Sequence, residues 1–61
     1  MKQYYCVKTE VETNGKANSQ ISEIKEVGYR PMDEFYIQGD KEVYTNWFDN
    51  KKAATKFMEE R

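Results

Sequence analysis

The sequence predicts an α+β fold: a small antiparallel sheet of three to four strands with one C-terminal helix packed on one face. Three observations lead there. Apolar residues recur with period two before residue 48 and with helical spacing after it. Leucine is absent, so the core has to come from Tyr, Phe, Trp, Val, Ile, Met and Ala, a palette that favours strands over a helical bundle. The chain has 61 residues, and a chain this short buries only about 60% of the surface its unfolded form exposes. Residues 1–61 are therefore read as a single domain.

The first strand lies in "YYCVKTEVET", residues 4–13, where Tyr5, Val7, Thr9 and Val11 alternate with Tyr4, Cys6, Lys8, Glu10 and Glu12. That is the period of a half-buried strand, and the odd positions are expected to face the core. "NGKANSQ", residues 14–20, opens on Asn14-Gly15, a strong hairpin signal because both residues tolerate positive φ. A two-residue turn would set Val11 opposite Asn18; a longer loop brings it near Ile21 and other apolar groups, and is preferred.

"ISEIKEVGYRP", residues 21–31, fits two readings. Ile21, Ile24 and Val27 have the spacing of a short helix, whereas Ile21, Glu23, Lys25, Val27 and Tyr29 share one face of a strand. The strand reading, with an irregularity near Ile24, is preferred, because Gly28 and Pro31 leave room for only a short helix. "MDEFYIQGDKEVYTNWF", residues 32–48, reads as a hairpin around Gly39-Asp40. Phe35, Ile37, Val43, Thr45 and Trp47 are expected on one face, with Tyr36 and Tyr44 as neighbours on the other.

The helix is expected over most of 50–60. Asp49 carries the acceptor an N-cap needs, Phe48 is placed to staple onto Ala53, and Ala53, Ala54, Phe57 and Met58 form one apolar stripe. A strand, a cap and a helix in succession make a lid for one face of a small sheet, too short to cover both.

The same residues limit the chemistry. There is no histidine, which removes Ser-His and Cys-His nucleophiles, a histidine base and the usual zinc sites. The single cysteine, Cys6, sits in an apolar run and reads as a buried, inert thiol that suits a reducing cytoplasm. The three glycines form no phosphate-binding loop, and Gly39-Asp40 lacks the ligand spacing of a calcium loop. Glu10 with Glu12, and Asp33 with Glu34, read as solvated strand positions rather than paired catalytic acids. The expectation is a protein that is not an enzyme and takes no cofactor, metal or small-molecule substrate. Residues 1–12 alternate polar and apolar positions and show no signal-peptide core or membrane span, so the expected location is cytoplasmic.

Two surface features are left for a partner. Lys51, Lys52 and Lys56 put cations early in the helix, against the macrodipole, where they suit a phosphate or an acidic surface. If the helix covers the face of Tyr5, Val7 and Val11, then Tyr4, Cys6, Tyr36 and Tyr44 lie on the opposite face with no element to bury them. Grouped tyrosines are enriched in protein interfaces, including homodimer interfaces. The candidate partner-binding residues are Tyr4, Tyr36, Tyr44, Lys51 and Lys52.

The ending "VYTNWFDNKKAATKFMEE" resembles, over residues 44–58, the close of the arm-type DNA-binding domains of mobile-element integrases, in which a C-terminal helix backs a three-stranded sheet. The resemblance implies a basic sheet face presented to the major groove. Here the strands carry Glu10, Glu12, Glu23, Glu26, Glu34 and Glu42, and the formal net charge is −1 from 10 basic and 11 acidic residues. That balance gives no long-range field to collect a polyanion. The leading expectation is therefore a non-catalytic protein-binding module, a small phage or mobile-element accessory or inhibitor protein acting through an aromatic sheet face. The alternative is a small nucleic-acid-binding domain like the integrase arm type.

Overall fold

The computed structural model describes residues 1–60 and has the expected α+β architecture. Strands β1 (Lys2–Val11), β2 (Ala17–Val27), β3 (Glu34–Gln38) and β4 (Lys41–Phe48) precede helix α1 (Lys51–Glu59). The strands form one antiparallel sheet in the order β2-β1-β4-β3, so β1 and β4 are central and β2 and β3 are edges.

The β1–β2 connection is shorter than the preferred loop. Gly15 N–H donates to Glu12 C=O at 2.9 Å and Glu12 N–H donates to Lys16 C=O at 2.8 Å, leaving Thr13, Asn14 and Gly15 as the turn. Gly15 has φ 87°, the left-handed residue that completes a three-residue hairpin turn, and Asn14 Oδ1 accepts from Lys16 N–H. Val11 consequently pairs with Ala17 rather than lying near Ile21. The ambiguous segment is a strand. Its irregularity falls two residues before Ile24: Cys6 pairs with Glu23 but Val7 with Ile21, so Ser22 is bulged out.

Paired residues share a face, so the registers sort the sheet into two sides. Tyr5 pairs with Phe48, Val7 with Asn46 and Thr9 with Tyr44 on one side; Cys6 pairs with Trp47, Lys8 with Thr45 and Glu10 with Val43 on the other. Phe57 stacks on Phe48 with ring centroids 5.1 Å apart, which puts α1 on the side of Tyr5, Val7 and Thr9. Val7, Thr9 and Ala54 are fully buried, and the Thr9 and Ser19 hydroxyls hydrogen-bond at 2.9 Å. The odd positions of β1 do face the helix.

Two expectations for the second hairpin are overturned. Gly39 and Asp40 form a two-residue turn, with Gly39 at φ 66°, so Gln38 pairs with Lys41, Tyr36 with Val43 and Phe35 with Tyr44. Every even residue of β3 is therefore opposite an odd one of β4. Phe35 and Ile37 cannot share a face with Val43, Thr45 and Trp47, and Tyr36 and Tyr44 point to opposite sides. Trp47 instead joins Tyr4, Cys6 and Val27 in a second apolar cluster on the side away from the helix.

Residues 28–33 run beside that second cluster and are tied to it through the backbone of Trp47. Trp47 N–H donates to Asp33 Oδ1 at 2.9 Å, Arg30 Nη2 donates to Trp47 C=O at 2.9 Å, and Arg30 bonds both Asp33 carboxylate oxygens at 3.0 and 3.1 Å. Strand β3 begins only at Glu34, opposite Thr45. Past that point the Arg30–Asp33 pair takes the place of a neighbouring strand and satisfies both backbone groups of Trp47.

The helix cap also lies one residue later than expected. Asn50, not Asp49, is the N-cap: its Oδ1 accepts from Ala53 N–H at 2.7 Å. Asp49 instead takes a hydrogen bond and ion pair from Lys2 at 3.3 Å and one from Asn50 at 2.8 Å, which hold its carboxyl below the usual carboxylate range.

The clamp on Trp47 gives a direct test. Asp33→Ala leaves a partly buried backbone N–H without its acceptor and should lower stability by about 1–3 kcal/mol in denaturant titrations followed by Trp47 fluorescence. Asp33→Asn keeps an acceptor and should lose less; equal loss for both variants would assign the effect to charge alone.

Candidate functional site

The surface left after folding is set by the reach of the helix. An α-helix is about 10 Å wide and neighbouring strands are about 4.8 Å apart, so one helix shields between two and three strands. Helix α1 packs against β1, β2 and β4 and does not reach β3. All five residues of β3 are exposed, and they include the consecutive apolar residues Phe35, Tyr36 and Ile37, 55%, 41% and 66% exposed. Phe35 and Ile37 stand on the helix side of the sheet, Tyr36 on the other.

The strand's outer edge is open as well. Ladder bonds beside a two-residue turn join the flanking pair and every second pair beyond it. The backbones of Gln38, Tyr36 and Glu34 therefore point at β4, as the 2.9 Å bond from Glu34 N–H to Thr45 Oγ1 also shows. The N–H and C=O groups of Phe35 and Ile37 point outward, away from the sheet.

The five residues singled out from the sequence are dispersed. Tyr4 lies on the side away from the helix, as expected, but at 9% exposure it belongs to the cluster with Cys6 and Trp47 and offers little surface. Tyr36 is on the same side and is exposed. Tyr44 is on the helix side, half-buried, its ring 4.8 Å from that of Phe35 and its hydroxyl donating to Glu42 at 2.7 Å. Lys51 and Lys52 are exposed in the first turn of α1, which contains no acidic residue. The lysines sit on an element that does not touch β3.

Phe35 and Ile37 are the exposed residues that sequence reasoning placed in the core. The length of the turn is the signal for their side, since two residues at Gly39-Asp40 fix the pairing parity; their exposure follows from the helix stopping short of β3. Tyr29 and Met32 are also exposed, and with Pro31 and Trp47 they line a shallow hollow next to the clamp.

Other chemistry is sparse. Cys6 is buried, and desolvation pushes its thiol above the ordinary value, an effect a hydrogen bond with Ser22 partly offsets and nearby Glu23, Asp33 and Glu34 reinforce. Among the described residues there is no group of three or more acidic or cysteine side chains placed to hold a metal ion, and no helix is long and apolar enough to cross a membrane. Comparison of the chain with protein-family models, with curated proteins and with solved structures gave no match.

The Cys6 environment predicts slow alkylation. The folded chain keeps the thiol proton at pH values where the unfolded chain, with an ordinary value of 9.0, loses it. Stability from this group is intact below that value and falls as pH rises through the folded one. Iodoacetamide labelling followed by mass spectrometry should be far slower for the native chain than in denaturant; equal rates at pH 8 would contradict a buried, protonated thiol.

Proposed function

We propose that the protein is a non-catalytic protein-binding module that takes an extended segment of its partner onto the β3 edge. The observation that carries this reading is the run Phe35-Tyr36-Ile37, exposed on a strand whose outer backbone groups are also unpaired within the sheet. Strand addition draws affinity from main-chain hydrogen bonds and specificity from alternate side chains, and β3 offers both. Phe35 and Ile37, with the half-buried Tyr44 behind them, present an apolar surface on one side, and Tyr36 presents an amphipathic ring on the other. Aromatic residues of this kind dominate binding energy where they become fully desolvated.

Tyr36 and Tyr44 keep a place in this reading, flanking the same strand from opposite sides. Tyr4 is set aside as a contact residue, because it is packed with Cys6 and Trp47 and lies six residues along β1 from the position level with Tyr36. Lys51 and Lys52 are set aside, because the helix they occupy does not adjoin β3.

The test uses a short alternating Val/Thr peptide as a generic extended partner. Titrated into isotope-labelled protein, it should shift the amide resonances of Phe35 and Ile37 most, and those of β2 little. Replacing Phe35 and Ile37 together by Ser should weaken binding at least about tenfold, roughly 1.4 kcal/mol, with little change in thermal midpoint. No shift on β3 at about 1 mM peptide, a concentration that detects contacts near 4 kcal/mol, would remove the basis for the proposal.

A further inference from the structure

We infer that the partner of this edge is a second copy of the chain, with β3 pairing antiparallel to β3 about a two-fold axis through Tyr36; this rests on the strand-addition reading above. The two edges of the sheet differ in how they are protected. Strand β2 carries Glu23, Lys25 and Glu26 and the bulge at Ser22, the charges and distortion that discourage edge-to-edge pairing. Strand β3, Glu34-Phe35-Tyr36-Ile37-Gln38, has no lysine, proline or bulge.

The β3 sequence is complementary to itself in one register. With Tyr36 on the axis, Phe35 of each copy faces Ile37 of the other. These are the residues whose N–H and C=O groups point outward, so they form two doubly hydrogen-bonded pairs. The same pairs bring apolar side chains together on the helix side, a favourable cross-strand combination. On the other side Tyr36 meets Tyr36 and Glu34 meets Gln38, and the flanking Asp33 meets Gly39, so no like charges are opposed. Slipping the strands by two residues either way sets Glu34 against Asp40, or Asp33 against Ile37. Each alternative introduces a repulsion or leaves a carboxylate against an apolar side chain.

The assembly has the sheet order β2-β1-β4-β3-β3-β4-β1-β2. An axis normal to the sheet keeps both helices on one side, with Phe35 and Ile37 of both copies between them. Five residues per strand make a small interface, below the roughly 1,200 Å² of stable complexes, so the association is weak and concentration-dependent.

The register predicts a cross-link. In this arrangement Tyr36 and its counterpart form a non-hydrogen-bonded pair with Cα atoms about 4.5 Å apart, within the range a disulfide spans, about 4.4–6.8 Å. Tyr36→Cys should oxidise to a covalent dimer, whereas Phe35→Cys and Ile37→Cys, whose counterparts are offset along the strands, and the wild type with its buried Cys6, should cross-link at least about tenfold more slowly. Sedimentation equilibrium of the wild type should show the mass rising from 7.3 kDa towards twice that value as concentration increases. Ile37→Pro removes an N–H that bonds nothing in β4, so it should hold the chain at monomer mass without lowering the thermal midpoint; if proline distorts β3, Ile37→Lys should give the same monomer.

A wild-type mass that stays at the monomer value to about 0.5 mM, where pairing worth about 4.5 kcal/mol is half complete, overturns the proposal. So does cross-linking of Phe35→Cys as fast as Tyr36→Cys. If the Val/Thr peptide still binds β3 in either case, only the second copy is wrong; if it does not, the strand-addition reading fails with it.

Discussion

Strand β1 is buried on both faces, yet the described residues form one helix to cover it, and much of the remaining structure follows from that mismatch. Val7 and Thr9 lie under α1, while Tyr4 and Cys6 look the other way. An apolar face without a lid would leave Trp47 and Tyr4 in water. The loop of residues 28–33 lies beside that side, and its Arg30 and Asp33 bond to the Trp47 backbone and to each other. A salt bridge with an exposed outer surface is worth little as an ion pair alone. Here its value lies in geometry, because it satisfies the backbone groups of β4 where β3 has not yet begun and holds the loop against the cluster.

The same mismatch determines what is left for other molecules. The helix covers part of one side, the loop borders the other, and β3 lies beyond the helix and after the loop. Its apolar residues are exposed because none of the elements among the described residues reaches them, and its outer backbone groups are open because none of those elements pairs with them. The opposite edge, with its bulge and its alternating charges, shows that edge protection is present in this sheet. Strand β3 has neither feature.

How much of this was legible depended on the kind of interaction involved. The four strands, the closing helix and the side of β1 that faces it follow from periodicity, because burial on one face imposes period two on a strand and a stripe on a helix. The cap lies one residue later than expected: Asp49 and Asn50 both have suitable acceptors, and in the fold Asn50 accepts from Ala53 N–H while Asp49 pairs with Lys2. The alternation of Tyr4 with Tyr5 and Val7 looks like that of a strand with one solvated side, which leaves Tyr4 as surface; Cys6, on the same side, is the buried thiol that its apolar run predicts. A central strand packed on both sides gives the same pattern, and only the cluster of Tyr4 and Cys6 with Trp47 and Val27 distinguishes them.

The sequence by itself determined the element types, their order, the helix-facing side of β1 and the chemistry that histidine and paired cysteines would have supplied. Tertiary structure decided the register of the second hairpin, the second apolar cluster and the exposure of β3. The physical reason is that secondary structure answers to local periodicity, whereas the side a paired residue takes depends on turn length to a single residue, and its burial depends on which distant element arrives above it. Two residues at Gly39-Asp40 set Phe35 and Ile37 opposite Tyr44 and Glu42, on the helix side of the edge strand, while the β1–β4 register set Trp47 opposite Cys6 on the other.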